Sequence, residues 1–312
     1  MKYIYVFALF ISMALPNIVN AQYEDIRNPL TPEEIALYKK NKVMAELQKI
    51  VDNGTPKNYK ARAIDTSGRL LASITFDRKQ YYMYDEAGRL IAHLDSVRST
   101  DGKFTVKEYS FSYDDNSGKL NRAITPEGTV NFNFDTRKNI LTQAHFAGDT
   151  MKLSRYYYDA LNRVVLIEGL DQQNKIINKV ERAFSSNGTL HREEIVGRYS
   201  AGLDSTVIMY VYNANRQLQQ KLVYSFRKFY VSMSGSVEPT HSAEQFSLGT
   251  LKYTYDKKGN KIAEEYTNSI DKLSNYYNTW QYNDKGLLTK RTQKQGIFEP
   301  QVVVYDYGFF EK

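Results

Sequence analysis

Apolar and polar positions along most of this chain alternate with a period of two, in short runs cut by turn residues. The stretch Tyr82-Met83-Tyr84-Asp85-Glu86-Ala87-Gly88-Arg89-Leu90 shows the unit. Tyr82 and Tyr84, two apart, share one face of an incoming strand. Asp85 opens a tight turn by bonding the backbone ahead of it, and Gly88 closes the turn at positive φ. Leu90 starts the outgoing strand. The turn-opening aromatic or its substitute recurs at Ile64, Tyr84, Tyr113, Phe134, Tyr158, Phe184, Tyr212, Tyr255, Tyr282 and Tyr305, at a mean spacing of about 27 residues. That length suits two strands and two connections. Asn162 replaces Gly in Tyr158-Asp159-Ala160-Leu161-Asn162-Arg163, and Ser185 replaces Asp in Phe184-Ser185-Ser186-Asn187-Gly188. The pattern predicts an all-β fold: an antiparallel meander of about ten hairpin repeats over residues 60–312. A lone hairpin leaves its aromatic face uncovered, whereas stacked neighbours bury it.

Before Lys60 the period changes. Thr31-Pro32-Glu33-Glu34 is a helix N-terminal signature, with Thr31 as cap, Pro32 at the first position and Glu34 as the capping-box partner. Val43, Met44, Leu47, Ile50 and Val51 recur at helical spacing, and Asp52-Asn53-Gly54 with Pro56 reads as the stop. Residues 22–59 are therefore expected to form a leader and one capping helix over the first edge of the sheet. Met1 to Ala21 has the form of a secretory signal peptide: Lys2, an apolar run from Ile4 to Leu15, and Val19-Asn20-Ala21 before Gln22.

The motif Tyr-x-Tyr-Asp-x-x-Gly-Arg-Leu resembles the YD repeat of the RHS family, and the resemblance covers roughly Lys60 to Lys312. It implies hairpins wound into a curved or spiral sheet, with carbohydrate binding and cell-surface contact as associated roles. Some members close a shell around a toxin. This chain is far shorter and carries neither an Asp-Pro-x-Gly core junction nor a toxin domain, so enclosed cargo is not expected. An outer-membrane barrel is the structural rival. Charges on both faces, as in Phe76-Asp77-Arg78-Lys79-Gln80-Tyr81, argue against an unbroken lipid-facing band.

Composition narrows the function. There is no Cys, so an exported chain of this kind folds without disulfides. The formal net charge is +7, a mild excess without a basic cluster, which does not favour nucleic acid. The repeated turn Asp serves the turn, and His93, His145, His191 and His241 lack ligand-spaced neighbours, so neither a metal nor another cofactor is expected. Two stretches stand out. The longest interval contains Tyr224-Ser225-Phe226-Arg227-Lys228-Phe229-Tyr230 and a predicted loop from Ser232 to Gly249, which makes Arg227, Phe229, Tyr230 and His241 candidates for the border of a ligand surface. Asn275-Tyr276-Tyr277-Asn278-Thr279-Trp280 holds the only Trp, and Tyr276, Tyr277 and Trp280 are candidates for stacking on a sugar ring. Asp95-Ser96-Val97, Asp149-Thr150-Met151 and Asp204-Ser205-Thr206 are similar to an O-glycosylation triplet of exported proteins. The sequence thus points to an exported, non-enzymatic binding protein, in the periplasm, at the outer surface or secreted. Its partner is expected to be a glycan or a cell-surface protein. A structural surface repeat protein without a specific ligand and a glycan-active enzyme are the alternatives.

Overall fold

The computed structural model describes residues 29–310 apart from 53, 138, 149, 200–201 and 232–240. The expected signal peptide lies outside the described residues. Among these residues one helix, α1 (Pro32–Asn41), precedes twenty strands. The first ten are β1 (Val43–Asp52), β2 (Thr55–Ile64), β3 (Leu70–Thr75), β4 (Arg78–Tyr84), β5 (Leu90–Arg98), β6 (Phe104–Tyr113), β7 (Leu120–Thr125), β8 (Gly128–Phe134), β9 (Ile140–Ala147) and β10 (Thr150–Tyr158). The second ten are β11 (Val164–Leu170), β12 (Ile176–Phe184), β13 (Leu190–Tyr199), β14 (Gly202–Tyr212), β15 (Leu218–Val231), β16 (His241–Tyr255), β17 (Lys261–Asn268), β18 (Tyr276–Tyr282), β19 (Leu288–Gln295) and β20 (Gln301–Phe309). A single 3₁₀ turn, Lys272–Ser274, lies between β17 and β18.

Each strand pairs antiparallel with the next, and β1 also pairs with β20 through Glu46↔Tyr307, Gln48↔Tyr305 and Ile50↔Val303. The sheet is a closed barrel of twenty strands. This corrects the expected open, curved or spiral sheet of about ten hairpins. The strand that closes the ring lies inside the stretch read as helix. The capping box forms as expected, with Thr31 N donating to Glu34 Oε2 (2.8 Å) and Glu34 N to Thr31 Oγ1 (3.2 Å). The helix then stops at Asn41, because Lys42 turns left-handed at φ 54°. Val43 to Asp52 continue as β1, with both faces partly covered, which is why their apolar spacing imitated a helix. With β20 on its other side, β1 offers no free edge for α1 to cover; the helix packs on the barrel end instead.

Nine of the connections are the repeated turns, and all lie at that same end. In the first, Asp65 Oδ1 accepts from Ser67 N and Arg69 N (both 2.9 Å) and Oδ2 from Arg69 Nε (2.7 Å). The turn-opening Tyr reaches back one hairpin: its hydroxyl donates to the carbonyl that begins the preceding hairpin's outgoing strand. This links Tyr84 to Leu70 (2.9 Å), Tyr113 to Leu90 (2.8 Å), Tyr158 to Ile140 (2.8 Å) and Tyr255 to Leu218 (2.8 Å). It also links Tyr282 to Lys261 and Tyr307 to Leu288, both at 2.9 Å. The tenth ring is thus Tyr307, two residues beyond the expected Tyr305. The Arg after the turn Gly lies over the next ring, as Arg69 over Tyr84 (4.8 Å) and Arg89 over Tyr113 (4.7 Å). A register shift sits beside the turn-opening residue, for example between Ala63 and Ile64 and between Met83 and Tyr84. Such bulges bend a strand and raise its twist, and repeated around one end they favour closure.

Helix α1 packs against this ring of turns. At Gly68 (φ +84°) a Cβ would fall 2.2 Å from Ile35 O, so only glycine lets the helix approach. Tyr38 Oη donates to Glu46 Oε2 (2.5 Å) inside the barrel, where Gln48 Nε2 (2.6 Å) and Arg62 Nη1 (3.3 Å) also meet Glu46. The main core continues from Leu30 and Tyr38 onto the inward faces of β3–β8, through Leu70, Tyr82, Leu90, Phe111, Leu120, Ala123, Val130 and Phe132. A second cluster joins Tyr156, Ile167, Val180 and Ile195 on β10–β13.

Candidate inner-wall binding site

Beyond β13 the inward face changes character. Strand register places Tyr253 opposite Glu264, Glu264 opposite Asn278, Tyr266 opposite Tyr276, and Trp280 opposite Arg291. These residues share the face that continues through Val303 to Ile50. Their rings are half-buried rather than sealed. Tyr266 and Tyr276 stack at 5.4 Å with 24° between planes. Lys261 Nζ lies 4.4 Å from the Trp280 ring centroid and 2.9 Å from Glu264 Oε2. Asn278 is 4% exposed; its Nδ2 donates to Glu264 Oε1 at 3.4 Å, and its Oδ1 has no partner. A buried acceptor left empty is costly, by about 1–3 kcal/mol.

At its border with the core the wall takes in Arg182 of β12 and Glu193 of β13, and it runs on across β14 and β15. Arg182 Nε donates to Glu193 Oε2 (2.7 Å), and Lys221 Nζ stands 5.3 Å over the Tyr210 ring. Burial lowers the Lys221 pKa, while the carboxylates of Glu193 and Glu264 oppose that shift. Burial, reinforced by Glu193, pushes the Tyr210 hydroxyl up to about 12. Burial and the nearby Glu264 raise Tyr253 and Tyr276 in the same way. The phenols are therefore neutral donors at physiological pH. Aromatic faces, a buried amide acceptor without a donor, neutral hydroxyls and near-balanced charge make a wall suited to a polar, ring-containing ligand.

Of the sequence candidates, Tyr276 and Trp280 enter this wall together. Tyr277 points outward and is 48% exposed, because neighbours on a strand face opposite sides. Arg227 also faces inward, nearer the other barrel end, with Nε donating to Asp204 Oδ1 at 2.8 Å. Phe229, Tyr230 and His241 take register positions at the far end of the β15–β16 hairpin. The predicted loop to Gly249 is strand from His241 onward. Lys221, Tyr253, Glu264 and Tyr266 were missed as site residues. They meet only through cross-strand register, and the alternation of Tyr253 with Tyr255 was their one sequence signal. Among the described residues no group of three or more His, Cys, Asp or Glu is placed to hold a metal ion.

No protein-family model matches the chain, and no curated protein matches it. Solved structures do. The TcdB2-TccC3-Cdc42 crystal structure is similar at 10% identity and TM-score 0.32, over 77% of this chain and 16% of that one. A porin-like protein from Bacteroides uniformis ATCC 8492 is similar at 10% identity and TM-score 0.38, over 86% of this chain and 97% of that one. A porin-like protein from Bacteroides vulgatus ATCC 8482 is similar at 10% identity and TM-score 0.32, over 85% and 98%. This chain thus spans under a fifth of the TcdB2-TccC3 chain. No helix among the described residues is long and apolar enough to cross a membrane, which leaves a strand-built crossing untouched.

Proposed function

We propose that the chain is an exported, non-enzymatic binding protein, a closed barrel standing in water that takes a glycan against the inner wall of β14–β19. The observation that carries this reading is the half-open aromatic wall around Asn278, whose buried Oδ1 lacks a donor. A sugar ring supplies C–H faces for Tyr276 and Trp280 and hydroxyl donors for that carbonyl. Ion pairs on the outer face support a water-facing wall. Val180 and Ile195 point inward, so Lys179–Glu181 and Arg192–Glu194, each at 2.5 Å, lie outside. Lipid-facing charge near the midplane of a bilayer costs about 2–4 kcal/mol per Lys or Arg. Kinship with YD repeats is part of the proposal and rests on the Asp turn, the back-reaching Tyr hydroxyl and the Arg-covered ring.

The test is a titration of the chain from Gln22 onward with neutral and acidic oligosaccharides at low and high salt, read by Trp280 fluorescence. Saturable binding that survives high salt is expected, with Asn278→Leu weakening it about tenfold or more. Absence of glycan binding, or binding indifferent to Asn278→Leu and Tyr276→Ala, overturns the site. Spontaneous insertion into lipid vesicles with ion conductance overturns the water-facing reading.

A further inference from the structure

A closed barrel has no sheet edges, yet one strand here runs past its neighbour. Strand β16 pairs with β15 from Val231↔His241 to Gln220↔Lys252, but with β17 only from Gly249↔Asn268 onward. The last tie on that side is Leu248, whose O accepts from Ser269 N (2.9 Å) and whose N donates to Ser269 Oγ (2.9 Å). Leu248 therefore aims its backbone away from β15. By alternation, Phe246, Glu244 and Ser242 aim theirs the same way, and among the described residues no strand meets them. Beside this edge the outer face is apolar. Register aligns Ser205, Phe226 and Phe246 in one row and Val207, Tyr224 and Leu248 in the next. Phe246 is 66% and Tyr224 44% exposed, and the Phe226 and Phe246 rings lie 4.7 Å apart. The six residues line a groove of about 400 Å³ with no charged lining residue.

We propose that the edge from Ser242 to Phe246 receives an extended segment of another protein as an added strand, with an apolar side chain of that segment seated in the groove. Backbone N–H and C=O groups that no described strand pairs select a polypeptide, and the rings beside them select its apolar face. A second copy of this chain fits less well. Two-fold pairing about Glu244 sets Glu244 opposite Glu244, and like charges directly opposed destabilise a ladder. The site is on the outer face, so it stands independently of the glycan reading.

The probe is a fluorescein-labelled peptide of alternating valine and threonine, with a control N-methylated at every second residue. Fluorescence anisotropy with the chain from Gln22 onward is expected to show saturable binding of the first and not the second. Glu244→Pro removes only an edge-facing N–H and is expected to weaken binding about tenfold, with the circular dichroism spectrum unchanged. Phe246→Ala keeps the edge, removes the groove wall and is expected to weaken binding about fivefold. Equal binding of the two peptides, binding indifferent to both substitutions, or no binding overturns the proposal. A dimer by light scattering that Glu244→Pro abolishes, without peptide binding, assigns the edge to a second copy and also overturns it.

Discussion

The two halves of the barrel wall are built on one turn motif and do opposite things with their inward faces. From β3 to β13 that face is largely sealed: Leu70, Leu90, Phe111, Leu120, Val130, Val180 and Ile195 are all buried, and only at its border do Arg182 and Glu193 open it. From β14 to β19 most inward side chains are only half-buried, and they are Tyr, Trp, Lys, Glu and amide rather than Leu and Val. The turn chemistry is the same in both halves: Asp65 and Asp256 each accept from the backbone four residues ahead at 2.9 Å. The turns build the ring, and the inward positions between them are free to be either core or site. On the proposed reading, one half holds the fold and the other takes the ligand.

The sharpest test of this division is truncation on each side. Phe111→Ala empties a position that is 5% exposed and is expected to cost about 3–5 kcal/mol. Tyr253→Ala, on the half-open wall, is expected to cost under about 2 kcal/mol, since a half-exposed ring has less transfer energy to lose. Urea midpoints of the two variants compare them directly. Equal losses would mean that the second half is core as well. Next in size is Gly68→Ala. It places a Cβ against Ile35 O at a backbone angle that L-residues resist, so a loss of roughly 2–3 kcal/mol is expected, together with freer hydrogen exchange in α1. Exchange in β10–β13 should stay unchanged, because the contacts of α1 fall on the β2–β3 turn at Gly68, on Glu46 of β1 and on the β18–β19 turn at Lys285.

The sealed half also predicts a pH effect. His93 is 4% exposed, stacked between Tyr82 (4.6 Å) and Tyr109 (5.1 Å), with neither ring nitrogen hydrogen-bonded. Burial lowers its pKa; Asp95 opposes the shift and Arg78, which grips Asp95 through two 2.7 Å bonds, adds to it. The unfolded chain then binds the proton more readily than the folded one. Stability from this group is complete above the ordinary histidine value of about 6.5 and is lost as pH falls below it, by at most about 1.4 kcal/mol per pH unit. His93→Leu should flatten the urea midpoint between pH 7 and pH 5. An unchanged slope would show that the ring is not held neutral.

The hairpin repeat and its turn chemistry could be read from the chain, because Asp, Gly and the aromatic act within one turn. Closure could not. It depends on β1, whose Val43, Leu47, Ile50 and Val51 satisfy a helical period while lying on a strand, and on a pairing between the two ends of the chain. The site was half readable for the same reason. Tyr276 and Trp280 stand out as rare, clustered rings, whereas Glu264 and Tyr253 join them only through register.

The smallest effect is also the finest probe of the division, because it compares one hydrogen bond in two settings. Tyr84 donates to Leu70 O on the sealed side, and Tyr282 donates to Lys261 O on the open side, each at 2.9 Å. Leu70 is 2% exposed, so in Tyr84→Phe its carbonyl keeps no partner and no water reaches it; a loss of about 1–2 kcal/mol is expected. Around Lys261 the side chain is 36% exposed and water can replace the phenol, so Tyr282→Phe is expected to cost about 0.5 kcal/mol. Urea unfolding of the two variants measures the pair, and the difference between them carries the information. If the two losses are equal, solvent does not reach the inner face of β17, and a ligand has no route to it either.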